Sequence, residues 1–323
     1  MRRFVRIGGG LALAILFAAL LIRNVDLGQV VLAATRLSVY VLAASAALVI
    51  AGYAVRARRW QLMLRGAGVN ATYRQAAPIF FASFALNNVL PLRAGDLYRC
   101  VSTLQLPAGT MAKSLGTLLT ERLLDLGALI MLLSALLLFL PQARLELISI
   151  PIAALLIVAL VLIAALIIFP VATWQLVETG LLQRFARFPI IAKVATWMRA
   201  FTAAVQGTLS DQVRVSVVVL TFAAWLLELG VFVVVGSALS GELLLFGGLG
   251  AGLLATLATL IPSAPGHLGT FDFFAAQGFR YGGLDAEAAV AAALVCHVAI
   301  IAPVTLFGSL QLLTDRQASL NAS

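Results

Sequence analysis

The sequence predicts an all-α, polytopic integral membrane bundle of about six spanning helices and two re-entrant hairpins that form an inverted repeat. Three observations carry this prediction. Residues of the set AVILMFWYC fill 62% of the 323 positions and Asp, Glu, Lys and Arg only 11%, against roughly 25% charged in an ordinary soluble domain. The apolar residues fall in long runs, with a mean hydropathy of +1.06, which excludes a water-soluble enzyme. The basic residues lie between the runs, where the positive-inside rule expects them. The net charge of +9 therefore speaks for anionic lipid headgroups, not for nucleic acid, which would meet a single basic stripe.

A helix needs about 20 apolar residues to cross the hydrocarbon core. Runs of this kind cover 7–22, 37–55, 75–92, 114–140, 147–169, 213–239, 243–261 and 286–312. The first follows Arg2, Arg3 and Arg6 with no small-residue cleavage pattern before Arg23, so it reads as an uncleaved helix. Residues 171–212 differ. Ile190, Ile191, Val194, Trp197, Met198, Phe201 and Val205 recur there at helical spacing opposite Lys193, Thr196 and Arg199. That pattern fits an interfacial amphipathic helix or a basic helix packed on the bundle. This cytoplasmic segment joins pseudo-repeat halves at about 1–170 and 213–312 of a single membrane domain, 1–323.

If all eight runs cross, Lys and Arg divide evenly between the two sides. If 75–92 and 243–261 return to the side they left, only Arg23, Arg36, Arg144 and Arg280 lie outside, and both termini are cytoplasmic. The two returning runs share a pattern. Pro91 precedes Gly95 by four residues and Pro262 precedes Gly266 by four, each followed by an acid. Paired broken segments of opposite orientation point to a transport site.

Ionisable residues at membrane depth cost about 2.5–3.5 kcal/mol each on insertion scales and so mark functional sites. Pro91 suits a helix start, and steps of three would set Arg93, Asp96 and Arg99 on one flank, where two guanidiniums hold a phosphate with a carboxylate between them. Glu121, Arg122 and Asp125 lie inside the run 114–140 and must face protein or a wet cavity. Pro262, Pro265, Gly266, His267 and Gly269 interrupt a helix before Asp272, leaving backbone that is tolerated only along a cavity. Glu228 is a further intramembrane carboxylate, a candidate partner for Arg122 or a coupling cation. His267 is a candidate proton-linked group, whereas His297 has no acid near it in sequence and reads as structural. Cys100 and Cys296 read as buried hydrophobes. No cofactor motif and no metal-ligand cluster appears.

Three motifs in this order, Pro91 to Arg99, Glu121 to Asp125 and Pro262 to Asp272, resemble the lysylphosphatidylglycerol synthase transmembrane-region family of flippase-like membrane proteins. The resemblance covers about 70–310. It implies an inner-membrane module that moves or presents lipids, which in bifunctional members is joined to an aminoacyltransferase domain. That domain is expected to be missing from a chain ending at Ser323. The family commonly has Glu where Asp96 and Asp272 stand, which leaves the lipid open among phospholipid, isoprenoid-linked and hopanoid types. The expected function is non-enzymatic translocation of an anionic or phosphate-headgroup lipid. Arg93, Arg99 and Arg122 would neutralise the headgroup, Asp96, Glu121 and Asp125 would orient them, and Asp272 with the broken backbone at 262–269 would form the opposite gate. The rival expectation is a non-transporting scaffold for a lipid-modifying enzyme or glycosyltransferase.

Overall fold

The computed structural model describes residues 2–23, 25–90, 93–139, 189–208, 210–261 and 264–321. The expected run 147–169, residues 171–188 of the segment 171–212, Pro91 and Pro262 lie outside these residues. The described chain is helical throughout: α1 Arg2–Ile22, α2 Leu27–Thr35, α3 Val39–Gly66, α4 Tyr73–Val89, α5 Ala94–Thr103, α6 Met111–Phe139, α7 Pro189–Thr208, α8 Arg214–Ser240, α9 Leu245–Ala258, α10 Thr270–Gly282 and α11 Ala286–Asn321. A single helical turn, Pro265–His267, stands between α9 and α10.

Four helices, α3, α6, α8 and the stretch Ala286–Leu313 of α11, are long and apolar enough to cross a membrane, and α1 with α2 forms a bent fifth candidate. Large apolar side chains such as Leu138, Val219, Val298 and Leu306 point outward from them, as lipid-facing positions do. By contrast α4 has 17 residues and α9 has 14. At 1.5 Å per residue neither spans a core about 30 Å thick. Local chemistry sets these ends. Asp26 caps α2 by accepting from Gly28 N–H at 2.7 Å, and Gln75 Oε1 accepts from Thr72 N–H at the head of α4 at 3.0 Å.

Each short helix doubles back. Asn70, before α4, donates its N–H to the Pro107 carbonyl, after α5, at 3.1 Å. Lys113 ties the same two loops by donating to the Gly68 and Ala108 carbonyls at 3.0 and 2.9 Å. The first hairpin therefore leaves on the face where it enters. In the second, a Cβ placed on Gly247 at the start of α9 would lie 2.8 Å from Gly282 Cα at the end of α10. α3 and α8 run antiparallel, Gly52 lying against Ala224 and Gly230 against Leu48. Since α8 starts near the end of α3, where Gly66 and Gly207 touch through their backbones, its 27 residues carry the chain about 40 Å away. The second hairpin thus inserts from the opposite face. The packing repeats accordingly: α2 lies on α11 as α7 lies on α6, and α4 lies on α11 as α9 lies on α6.

α7 answers the amphipathic pattern differently from the expected stripe. It buries Ala195, Thr202, Ala204, Val205 and Thr208, while Val194 and Trp197 face outward. Small residues win the inner face because the helices meet closely there, with Gly116 of α6 against Ala204 and the Phe201 carbonyl.

Candidate functional site

Three buried ion pairs tie the helices together, two between long helices and one from the short α5 to α6. On α3, Arg59 engages Asp125 of α6 through two contacts of 2.5 and 3.1 Å and donates to Thr221 of α8 at 3.0 Å. Trp225 Nε1–H donates to the same carboxylate at 3.1 Å. One turn away, Arg56 meets Glu228 of α8 at 2.8 Å, its guanidinium packed over the rings of Tyr53 and Trp225. On α5, Arg99 donates to both oxygens of Glu121 at 3.3 and 2.6 Å, between the rings of Trp60 and Phe80. Each of these six charges is thereby matched by an opposite one, the condition under which buried ions are tolerated, although Arg59 Nε is buried without a hydrogen-bond partner.

The first break lies beside these pairs. A Cβ on Gly95 would stand 1.7 Å from the Ser83 carbonyl oxygen, so glycine alone lets α5 start against α4. That closeness places Asn87 of α4 to bracket Asp96: Nδ2–H donates to Oδ1 at 2.9 Å, while Oδ1 accepts Asp96 N–H at 3.2 Å. Asp96 also receives Arg122 Nη2 at 3.1 and 3.2 Å. The side chain of Arg122 is 34% exposed, unlike Arg56, Arg59 and Arg99, which are buried. Arg93 precedes α5 with φ 54°, in the left-handed region. It is exposed, forms no ion pair with a described carboxylate, and stands within electrostatic reach of Arg122, Asp96 and His267.

The second break mirrors the first. Asp272 Oδ2 accepts Gly269 N–H at 2.9 Å and Oδ1 meets His297 Nδ1 at 2.6 Å. His297 Nε2 lies 2.8 Å from the Gly266 carbonyl oxygen. The positions correspond between halves. Asp96 and Asp272 each stand two residues after the first residue of their helix. Arg122 and His297 each stand eleven residues after the first residue of the helix that follows. The turn Pro265–His267 packs against α4, with Gly266 beside the Asn88 carbonyl and Ile301. The tips of the two hairpins therefore meet.

Several expected relations change. α5 starts at Ala94, and Pro91, expected at a helix start, lies outside the described residues. Arg93 and Arg99 do not share a flank: at 3.6 residues per turn, six residues rotate the side chain by about 120° from its start. Arg99 is therefore carried inward to Glu121 and is closed to a ligand. Asp125 pairs with Arg59 instead of orienting Arg122, and Glu228 pairs with Arg56 instead of Arg122 or a cation. His297, expected to have no acid, faces Asp272 from 25 residues along the chain. Arg56, Arg59, Asn87 and Asn88 were not expected at all. Arg56 and Arg59 do carry a helical signal, three residues apart and flanked by Gly52, Tyr53, Trp60 and Met63 on the buried side.

Residues 7–308 match the lysylphosphatidylglycerol synthase transmembrane region. No curated protein and no solved structure matches the chain. The match takes in both hairpins and all the ion pairs described above, and the chain belongs to the lysylphosphatidylglycerol synthase transmembrane-region family, multi-pass membrane proteins of lipid handling.

Proposed function

We propose that the protein is an inner-membrane lipid translocase that carries or presents a lipid with an anionic, phosphate-bearing headgroup and does not chemically convert it. One observation carries this reading. Arg56, Arg59, Arg99 and Arg122 each hold a carboxylate, while Arg93 holds none among the described residues, at the point where the two hairpin tips meet. A single uncompensated guanidinium beside a second, one-third exposed one is a site for an anion. Asp96 and Asn87 fix Arg122 in position. The tails stay in the bilayer, along the outward apolar faces, as the headgroup occupies the junction.

The test is lipid co-purification in mild detergent, with bound lipids compared with bulk membrane by mass spectrometry. An anionic lipid enriched on the wild type and lost from folded Arg93→Gln/Arg122→Gln is expected. Bulk composition on both proteins would overturn the reading. It would favour the scaffold alternative, for which the outward Val194 and Trp197 of α7, beside Lys193, offer a surface for an enzyme partner.

A further inference from the structure

The two halves place different basic residues at corresponding positions, Arg122 opposite Asp96 and His297 opposite Asp272. An arginine keeps its charge at every physiological pH, whereas imidazole is the side chain that changes charge in that range. The geometry around His297 restricts its protonation further. Both ring nitrogens face oxygens: Nδ1 faces Asp272 Oδ1 at 2.6 Å and Nε2 faces the Gly266 carbonyl at 2.8 Å. A carbonyl and an ionised carboxylate only accept, and a neutral imidazole has a single N–H. Both contacts exist together only when the pair holds one proton beyond neutral imidazole and carboxylate, whether as imidazolium or as carboxylic acid.

We propose that Asp272–His297 is a proton-binding site that fastens the broken loop 264–269 to α11, and that loss of its proton releases the Gly266 carbonyl and opens the junction between the hairpins. The step is a single proton transfer from the pair to water. It leaves one N–H for two acceptors and takes the pair from net zero to minus one. Asp272 remains held by Gly269 N–H, so the contact that yields is the one to Gly266, whose φ of 69° belongs to a turn packed on the first hairpin. The surrounding charges leave this proton to the pair. His267 faces it from the loop, and Arg93 stands beyond His267. Arg56 of α3 and Glu228 of α8 occupy each other. α2 has no charged residue, Tyr73 and Arg74 lie at the far end of α4, and Arg280 and Tyr281 lie at the far end of α10. As a coupling ion for transport the proton rests on the translocase reading; as a ligand of the loop it does not.

Two measurements separate these. Hydrogen exchange of 264–270 in the purified protein, corrected for intrinsic rates between about pH 5.5 and 8.5, reads the loop. Because the closed loop holds one more proton than the open one, exchange should rise with pH, by up to about tenfold per unit. His297→Gln and Asp272→Asn should flatten the profile, and His267→Gln should keep it. A flat wild-type profile overturns the proposal even if the variants at 297 and 272 fail to fold, and so does an unchanged slope in folded His297→Gln. The second measurement follows fluorescent phosphatidylglycerol in proteoliposomes, with and without an imposed pH gradient. Transport that ignores the gradient beside a flat loop profile overturns the proton site and keeps the translocase. A sloped loop profile without any lipid movement keeps the proton site and overturns the translocase.

Discussion

At the scale of single residues, arginines of one chemical type take opposite roles according to whether a carboxylate answers them. Arg59 is fully buried against Asp125, so Arg59→Met strands a charge inside the bundle. We expect it to lower stability by about 3–5 kcal/mol, seen as an early melting transition in detergent. Arg93 is the converse. It occupies the left-handed region at φ 54°, where a non-glycine residue is strained by about 1 kcal/mol or more. Arg93→Gly should therefore melt no earlier than the wild type, and up to about 1 kcal/mol later, yet lose its enriched anionic lipid. A residue whose removal relaxes the fold and abolishes binding is kept for its charge. Glu121, Arg122 and Asp125 were legible because a charge inside an apolar run has an insertion cost that needs explaining, and Arg93, Asp96 and Asp272 because each lies in or just after a Pro–Gly break at the end of such a run. Arg56 and Arg59 were not. They follow the apolar run 37–55 and read as a cytoplasmic loop, whereas α3 continues to Gly66, and the acids that neutralise them come from distant helices.

At the scale of elements, the two breaks depend on close backbone approach. Gly95 meets the Ser83 carbonyl with no room for a Cβ, so Gly95→Ala must push α5 off α4. We expect about 1–3 kcal/mol of destabilisation and loss of the Asn87 clamp on Asp96. The check is a melting curve alongside lipid retention; an unshifted melt would show that the hairpin does not need its tight start. Seven of the eight expected runs coincide with described helices, because lipid demands long apolar runs, and the eighth, 147–169, lies outside the described residues. The direction in which α5 presents its side chains was not legible in this way. A three-residue step drifts around the axis, and the residue at the break, Arg93, takes a left-handed conformation at φ 54° instead of the α-helical one. α7 shows the same limit: periodicity found the helix but not its buried face, which is set by small residues such as Ala195 and Ala204, the second of them against Gly116 of α6.

At the scale of the whole molecule, the hairpins insert from opposite faces, and this fixes which loops share a side. Asn70 lies with the ends of α3 and α5, and Glu242 lies across the membrane at the end of α8. In intact cells, Asn70→Cys and Glu242→Cys should react with an impermeant maleimide from opposite sides. The native thiols, Cys100 and Cys296, are buried and leave a low background. Labelling of both from one side would contradict the inverted repeat.

The ion pairs between α3, α6 and α8 also bear on how the protein is made. α3 leaves the ribosome carrying Arg56 and Arg59 before either counter-charge exists; the Arg59 partner follows 66 residues later, and Glu228 much later still. At about 5–20 residues per second, α3 waits several seconds for Asp125 and longer for Glu228. Releasing two bare arginines into lipid during that interval would cost about 5–7 kcal/mol on insertion scales. Nascent α3 must therefore linger at the insertion machinery, or at the headgroup surface, until α6 and then α8 arrive, and the bundle is assembled in the order in which its charges find partners.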